Sequence, residues 1–157
     1  MKGNNGSGNN PSRDSWETKQ ELFDLLDEQY SFEFDCCATK ENTKCFSYSD
    51  DFLSVVYDDE DNGVAWMNPP FSKAKQMFEH FFKVVTKGVA IYRSDNMETK
   101  IWQQTILPNC DWIFIFEGRI NYEGQEGNGA RFPSTLIGVG VEPPKGLKGT
   151  TLWVNKK

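Results

Sequence analysis

The residues best suited to chemistry lie in one short stretch, Asn68-Pro69-Pro70-Phe71, which follows the apolar run Val64–Met67. Such a run is typical of a buried strand. Two consecutive prolines then remove two backbone donors and fix two φ angles, so neither a central strand nor a helix can continue through them. The sequence therefore predicts a strand, a rigid corner and a following helix that Ser72 caps with its hydroxyl.

This corner carries acceptors and an aromatic ring. The Asn68 side-chain oxygen and the Pro69 carbonyl both accept hydrogen bonds, so together they suit a substrate with two N–H groups on one atom, an exocyclic amino group. Phe71 offers a flat face on which an aromatic base stacks, which is typically worth ~1–3 kcal/mol. Asn68, Pro69, Pro70 and Phe71 are thus predicted to form a catalytic corner. The alternative is a Pro-Pro turn in which Phe71 packs into the core.

The elements around this corner predict how it is positioned. Strands that alternate with helices indicate βαβ units, an α/β fold whose sheet is mainly parallel and flanked by helices, with antiparallel strands at the C-terminal edge. Ligands of open α/β sheets bind at the carboxyl ends of the strands. The predicted helices span 19–29, 72–86 (stopped by Gly88) and 97–107 (ended by Pro108), and the predicted strands span 32–35, 44–48, 64–67, 89–92, 111–116 and 135–141.

Two acidic residues follow predicted strands. Asp35 ends the strand at 32–35, and Asp50 follows the one at 44–48. A carboxylate at the end of such a strand can accept hydrogen bonds from the hydroxyls of a ribose. Asp50 precedes the apolar Phe52 and Leu53, which suits contact with an adenine ring. The glycine-rich dinucleotide fingerprint is absent, and an ordinary turn acid or a solvated acidic loop are the alternatives.

Length and composition favour one folded domain. The 157 residues suffice for one core, and residues 1–13, which are rich in Gly, Asn and Ser, are predicted to form a disordered tail before a single domain at 14–157. Because no apolar run approaches the ~20 residues of a membrane span and no signal peptide is evident, a cytoplasmic location is expected. Four cysteines without a CxxC pair and one histidine predict no metal site.

The charge of the chain is acidic overall and locally basic. The net charge is −6, which opposes binding to nucleic acid. However, residues 71–108 carry six basic and three acidic side chains, while acids concentrate in 50–61. The location of charge matters more than its sum. Any binding to DNA in the absence of a partner is therefore expected to be weak and salt-sensitive.

Several motifs occur in an order that resembles the phage-encoded DNA N6-adenine methyltransferase (Dam-like) family. The opening Asp-x-Trp-x-Thr of that family is present from Asp14 to Thr18, and its strand ending in Asp-x-x-Ala is present at Asp35. The family's Trp-x-Asn-Pro-Pro-(Tyr/Phe)-Ser begins at Trp66. Its later Gly-Arg and Phe-Pro-Ser are present at 118–119 and 132–134. The resemblance extends from about Asp14 to Val141.

The resemblance implies a compact Rossmann-like methyltransferase fold, S-adenosylmethionine as cofactor and DNA as partner. Three features depart from the family pattern. Lys19 stands where the family commonly has proline, and the paired cysteines at 36–37 stand in a turn that usually lacks them. The spacing between Asp35 and Asn68 is also short for a full methyltransferase core. The predicted cofactor-binding residues are Trp16, Thr18, Asp35, Asp50 and Asn68. The predicted substrate-binding residues are Phe71, Ser72, Arg93, Arg119 and Ser134.

The function implied is methyl transfer from S-adenosylmethionine to the N6 amino group of adenine in DNA. Two alternatives are enzymatic, with the methyl group going to the N4 of cytosine or to a glutamine side-chain amide. A third is a non-catalytic module that keeps the fold and binds nucleic acid or a protein partner. For Arg93 and Arg119, an ordinary surface or structural role is the alternative to contact with phosphate or base.

Overall fold

A computed structural model describes residues 17–56, 63–118, 120, 122–123 and 132–155. The predicted tail at 1–13 and two predicted site residues, Trp16 and Arg119, lie outside the described residues. Within the described part of the chain, no helix combines the length and the apolar character needed to cross a bilayer.

The architecture is a mixed α/β arrangement built on a sheet of seven strands. The strands are β1 (Glu17–Thr18), β2 (Phe32–Asp35), β3 (Ser47–Tyr48), β4 (Val64–Met67), β5 (Gly88–Arg93), β6 (Trp112–Phe116), β7 (Tyr122–Glu123), β8 (Ser134–Val139) and β9 (Gly149–Trp153). The large sheet has the order β3-β2-β4-β5-β8-β6-β9. A separate pair, β1 and β7, forms a two-stranded antiparallel sheet.

One end of the large sheet is parallel and the other is antiparallel. β3, β2, β4 and β5 pair in parallel, whereas β8 pairs antiparallel with both β5 and β6. The predicted α/β class and the antiparallel C-terminal edge are thus confirmed. The prediction of a mainly parallel sheet is not, because three of the six strand pairings described in the large sheet are antiparallel. β9 lies beyond the last predicted strand, 135–141, and pairs antiparallel with β6 over five residues.

Among the described residues three helices flank the sheet, and their bounds differ from those predicted. Helix α1 spans Gln20–Tyr30 and α2 spans Ala74–Val84, preceded by a 3-10 turn at Phe71–Lys73. We denote as α3 the π-helical segment Ile101–Ile106 with its α-helical continuation Leu107–Asn109. The prediction that Pro108 ends this helix is wrong, because proline is tolerated in the first turn of the α-helical continuation.

Gly88 and Ser72 also correct the sequence interpretation. Gly88 does not stop α2, which ends at Val84; it begins β5 instead. A Cβ at Gly88 would crowd Phe81 and Val85, so the glycine permits close packing of α2 on the sheet. Ser72 lies inside the 3-10 turn, and neither that turn nor α2 has a side-chain cap hydrogen bond at its N-cap residue.

The sheet separates two hydrophobic cores. α2 and α3 cover one face, where Phe78, Phe81 and Trp102 pack with sheet residues such as Met67. α1 covers the other face, where its apolar side chains pack with Trp66. Because adjacent residues of a strand point to opposite faces, Trp66 and Met67 anchor the strand before the proline corner in both cores.

A bulge in β2 determines where its aromatic residues point. Phe32 pairs with Val64 and Phe34 with Ala65, so the register shifts by one residue between them. Residues two apart in a regular strand share a face, but here Phe32 packs in one core and Phe34 against the other. A bulge of this kind re-aims side chains.

Candidate active site

A cavity of about 290 Å³ opens at the carboxyl ends of β2, β3 and β4. The parallel pairing of these strands brings their ends to the same edge of the sheet. Four of the five predicted cofactor-binding residues meet there: Thr18, Asp35, Asp50 and Asn68. The other lining residues are Cys36, Cys37, Ala38, Thr39, Asn42, Lys44, Phe52, Trp66, Pro70, Lys73 and Met77.

Asp35 is a buried carboxylate at the end of β2, with only 3% of its surface exposed. Its two oxygens accept from the backbone N–H groups of Lys44 (2.9 Å) and Cys37 (3.3 Å). Burial raises the pKa of Asp35 from 3.8 to about 6, although these two hydrogen bonds and the Lys44 charge act in the opposite direction. Asp35 thus closes the loop at 36–44 over one side of the cavity.

Asn68 follows β4 directly, and its side chain faces the cavity. Its Nδ2 donates to the Oγ1 of Thr18 over 3.1 Å. Thr18 lies in β1, outside the large sheet, and is 2% exposed. The pairing of β1 with β7 therefore places a threonine, fifty positions away in the sequence, against the predicted catalytic amide.

The proline corner is tied down by a tight turn. The Pro70 carbonyl accepts from the Lys73 N–H over 3.1 Å, so this carbonyl closes the 3-10 turn that precedes α2. Pro70 lines the cavity, whereas Pro69 is buried and is not among the lining residues. The Pro70 carbonyl is therefore occupied by a hydrogen bond within the corner.

Phe71 belongs to a neighbouring group that we call the aromatic–arginine cluster: Phe71, Tyr92, Arg93 and Phe132. The half-buried Phe71 ring meets the rings of Tyr92 and Phe132 edge to face, with centroids 6.0 and 5.4 Å apart. The Arg93 guanidinium lies 4.5 Å from the Phe132 ring centroid and 5.5 Å from that of Phe71. None of these four residues lines the cavity, so the ring of Phe71 packs beside it.

Arg93 also makes a bidentate ion pair. Its Nε and a terminal nitrogen each donate to an Asp95 carboxylate oxygen over 2.7 Å. The backbone carbonyl of Arg93 accepts from the Trp102 indole, and the adjacent Ser94 N–H donates to the Pro133 carbonyl. These contacts hold the end of β5 against α3 and the start of β8.

The remaining predicted substrate-binding residues lie in different places. Ser72 is exposed within the 3-10 turn. Ser134 is 2% exposed and pairs in register with Arg93, so it lies beneath the aromatic–arginine cluster rather than in the cavity.

Several lining residues had no predicted role in the site, and Lys44, Lys73 and Met77 are among them. Met77 comes from α2, and its sulfur lies 4.0 Å from the Cys37 sulfur. The spacing of apolar residues in α2 predicts that Met77 lies in the hydrophobic core. Met77 does belong to that core, in addition to lining the cavity. Lys73 follows the proline corner closely enough that its proximity could have been inferred from the sequence.

The thiols near the cavity are not activated nucleophiles. Burial raises the pKa of Cys37 and of Cys45 to about 12, and it raises that of Cys36 as well. A protonated thiol is a poor nucleophile and metal ligand. Within the described chain all four cysteines are free. We therefore assign no nucleophilic role to the cysteines beside the cavity.

The cavity fits a nucleoside-containing ligand by the chemistry of its lining. Its volume approaches the ~300–1,000 Å³ of small-molecule pockets. Asp35 and Asp50 provide carboxylates for hydroxyl or amino groups, and Phe52 and Met77 provide apolar surface. Asn68 and Pro70 form the wall on the side of the aromatic–arginine cluster.

Comparison with known proteins gives one family match and no similar curated protein. The search of curated proteins finds no match. The model of the family described as DNA N-6-adenine-methyltransferase (Dam) matches residues 6–135, which include the cavity, the proline corner and the aromatic–arginine cluster. Since this match covers well over half of the 157 residues, the chain belongs to the DNA N-6-adenine-methyltransferase (Dam) family.

Proposed function

We propose that this protein transfers a methyl group from S-adenosylmethionine to the N6 amino group of adenine in DNA. The observation that carries the proposal is the position of Asn68. It stands at the carboxyl end of β4, on a stiff corner, and borders the same cavity as Asp35, Asp50 and Thr18. Family membership and the strand order support a compact Rossmann-like methyltransferase fold.

The cavity would hold the cofactor through its polar and apolar walls. Asp35 and Asp50 would accept from hydroxyl and amino groups, and Phe52 would pack against the adenine ring. When bound, S-adenosylmethionine supplies an electrophilic methyl group on a sulfonium. A preorganised pocket of this kind favours reaction by orientation more than by covalent chemistry.

The chain's own contribution to catalysis is a pair of acceptors. An adenine amino group is a weak nucleophile because its lone pair is delocalised into the ring. When Asn68 Oδ1 and the Pro69 carbonyl accept its two N–H bonds, a more tetrahedral nitrogen with a localised lone pair is favoured. Acceptors fixed in advance stabilise the transition state without reorganising. Attack of the nitrogen lone pair on the methyl carbon would break the carbon–sulfur bond and release a neutral thioether. The extra proton on the nitrogen would then pass to water, and no protein nucleophile is required.

DNA would approach from the edge that carries the carboxyl ends of the strands. Lys73 and Lys75 are exposed there, at the start of α2. A base inside a duplex is inaccessible, so the target adenine has to leave the stack. We propose that Phe71 stacks on the extruded base and that Arg93, Arg119, Ser72 and Ser134 belong to the substrate-binding region. A cytoplasmic location and a phage origin remain predictions.

The test is methylation of adenine-only and cytosine-only DNA by purified protein. We expect N6-methyladenine from the first substrate and no product from the second. Asn68→Ala should lower kcat by about 10²–10³-fold, the usual cost of losing a preorganised group at the reacting centre. Its affinity for S-adenosylmethionine, measured by calorimetry, should stay within about twofold, because one amide is a minor part of the cavity wall.

A matched control is Asn109→Ala. Asn109 is an exposed asparagine whose amide donates to the Thr105 carbonyl at the end of α3, outside the cavity. Its removal should leave kcat unchanged. Methylation of cytosine would redirect the proposal to the N4 group. A wild-type protein that binds DNA but neither binds nor uses S-adenosylmethionine would indicate the non-catalytic module.

A further inference from the structure

The hydrogen bond between Thr18 and Asn68 joins residues that are positioned by different sheets. Thr18 belongs to the two-stranded β1–β7 sheet, and Asn68 follows β4 of the large sheet. Their side chains meet over 3.1 Å at the cavity wall. Thr18 is 2% exposed, so bulk water does not compete freely for its hydroxyl.

This contact constrains which way the Asn68 amide faces. The nitrogen of the amide donates to Thr18 Oγ1, and the two polar atoms of an amide point in directions about 120° apart. Nδ2 directed at Thr18 therefore turns Oδ1 away from it. A primary amide without such a contact can exchange its oxygen and nitrogen by rotation about χ2, which is a broad torsion.

The position of Thr18 is itself constrained. Thr18 pairs in register with Tyr122, and Glu17 pairs with Glu123. A β-branched side chain is stiff at χ1, so the backbone pairing also fixes the direction of the hydroxyl. Thr18 thus presents a fixed acceptor to Asn68 from outside the sheet that carries Asn68.

We propose that Thr18 is a positioning residue for methyl transfer, which holds the Asn68 amide with Oδ1 presented to the substrate amino group. The proposal rests on the proposed function. It assigns to Thr18 a role directed at Asn68, where the sequence predicted only contact with the cofactor. Thr18 touches no reacting atom in this role and acts through Asn68 alone.

The test compares Thr18→Val with Thr18→Ser. Valine keeps the shape and removes the acceptor, whereas serine keeps the hydroxyl. Loss of one hydrogen bond that orients the amide should lower kcat roughly tenfold in Thr18→Val. The KM and the calorimetric Kd for S-adenosylmethionine should stay within about twofold, and Thr18→Ser should recover most of kcat. A tenfold or greater loss of S-adenosylmethionine affinity with kcat retained would overturn the proposal in favour of cofactor contact.

Introducing Thr18→Val into the Asn68→Ala variant tests whether Thr18 acts through Asn68. If Thr18 acts only through Asn68, adding Thr18→Val to Asn68→Ala should lower the residual kcat no further, as expected for two residues in one contact. A further tenfold drop in the double variant would overturn the proposal. Thr135→Val is a matched control: Thr135 is also a buried strand threonine, and its Oγ1 has no hydrogen-bond partner among the described residues. Its kcat should not change.

A readout independent of activity separates the two proposals. The side-chain NH2 signals of Asn68 in an amide NMR spectrum, assigned by their loss in Asn68→Ala, should shift in Thr18→Val and return in Thr18→Ser. Unchanged signals in Thr18→Val would overturn the positioning contact, even with a fully active enzyme. Absence of adenine methylation by the wild-type protein would instead overturn the proposed function. Thermal unfolding of each variant shows whether it is folded.

Discussion

The backbone N–H of Lys44 donates to the buried carboxylate of Asp35 over 2.9 Å, which closes a nine-residue loop beside the cavity. Asp35 is predicted to bind the cofactor, yet in the folded chain it already holds this loop. Its burial raises its pKa to about 6. The loop, the acidity of Asp35 and the shape of the cavity are therefore coupled.

Asp35→Asn should change how stability depends on pH. Because folding raises the pKa of Asp35 from 3.8 to about 6, its contribution to stability is fully present below pH 3.8 and is lost as the pH rises through about 6. A pKa shift of this size corresponds to roughly 3 kcal/mol in the free energy of unfolding. Relative to Asp35→Asn, the wild-type free energy of unfolding should fall by up to that amount between about pH 4 and 6, as measured by denaturant titration. A difference that is independent of pH would contradict this assignment.

Phe71→Ala should raise the KM for DNA. If the ring stacks on the extruded adenine, its loss costs ~1–3 kcal/mol of substrate interaction, or about tenfold or more in KM. The free energy of unfolding should also fall by about 2 kcal/mol, because a half-buried ring leaves its contacts with Tyr92 and Phe132. The measurements are steady-state kinetics and denaturant unfolding.

Phe116→Ala is the control for Phe71→Ala. Phe116 is a half-buried ring in β6 that packs edge to face with Phe114. Its removal should lower stability by a similar amount and leave the KM for DNA unchanged. If the two variants had the same kinetics, Phe71 would be a packing residue only.

Asp95→Asn should strengthen DNA binding. The carboxylate of Asp95 forms a bidentate ion pair with Arg93 beside the proline corner. Its neutralisation leaves the guanidinium stacked on Phe132 while removing a negative charge that repels phosphate. The affinity at low salt should rise several-fold, and the logarithmic salt dependence should become steeper by up to about one unit. Fluorescence anisotropy over a salt series measures both.

Glu28→Gln separates this effect from that of net charge. Glu28 is exposed near the end of α1 that leads into β2, at the opposite edge of the sheet from the cavity. Glu28→Gln removes one negative charge, as Asp95→Asn does, and should alter DNA affinity much less. Equal gains in the two variants would show that only the net charge of the protein matters.

Gly138→Ala should destabilise the fold. Gly138 lies in β8, and a methyl group there would overlap the indole of Trp112. That indole is fully buried and donates to the Val141 carbonyl, so it cannot move aside. Overpacking of this kind typically costs ~1–3 kcal/mol, which denaturant unfolding would detect. Gly63→Ala is the control, because its methyl would meet only the exposed and flexible Glu33 side chain.

The sequence alone determined the local features of the site. Paired prolines restrict their own backbone and that of their neighbours, so the corner after Val64–Met67 followed from residue types. That strand has the predicted bounds. Asp35, Asp50 and Asn68 each lie at or just after the carboxyl end of a strand. Parallel pairing of these strands brings the three residues to one edge of the sheet, whichever register buries the apolar residues of the strands. The acids and the amide were therefore predictable as a group.

Only the tertiary structure decided what these residues contact. Thr18 meets Asn68 because β1 pairs with β7, and Phe71 faces Tyr92 and Phe132 because β5 and β8 are neighbours. Residues 149–153 form a strand because β6 offers them an edge. Such pairings depend on packing and register between distant segments, which no local pattern of residues encodes.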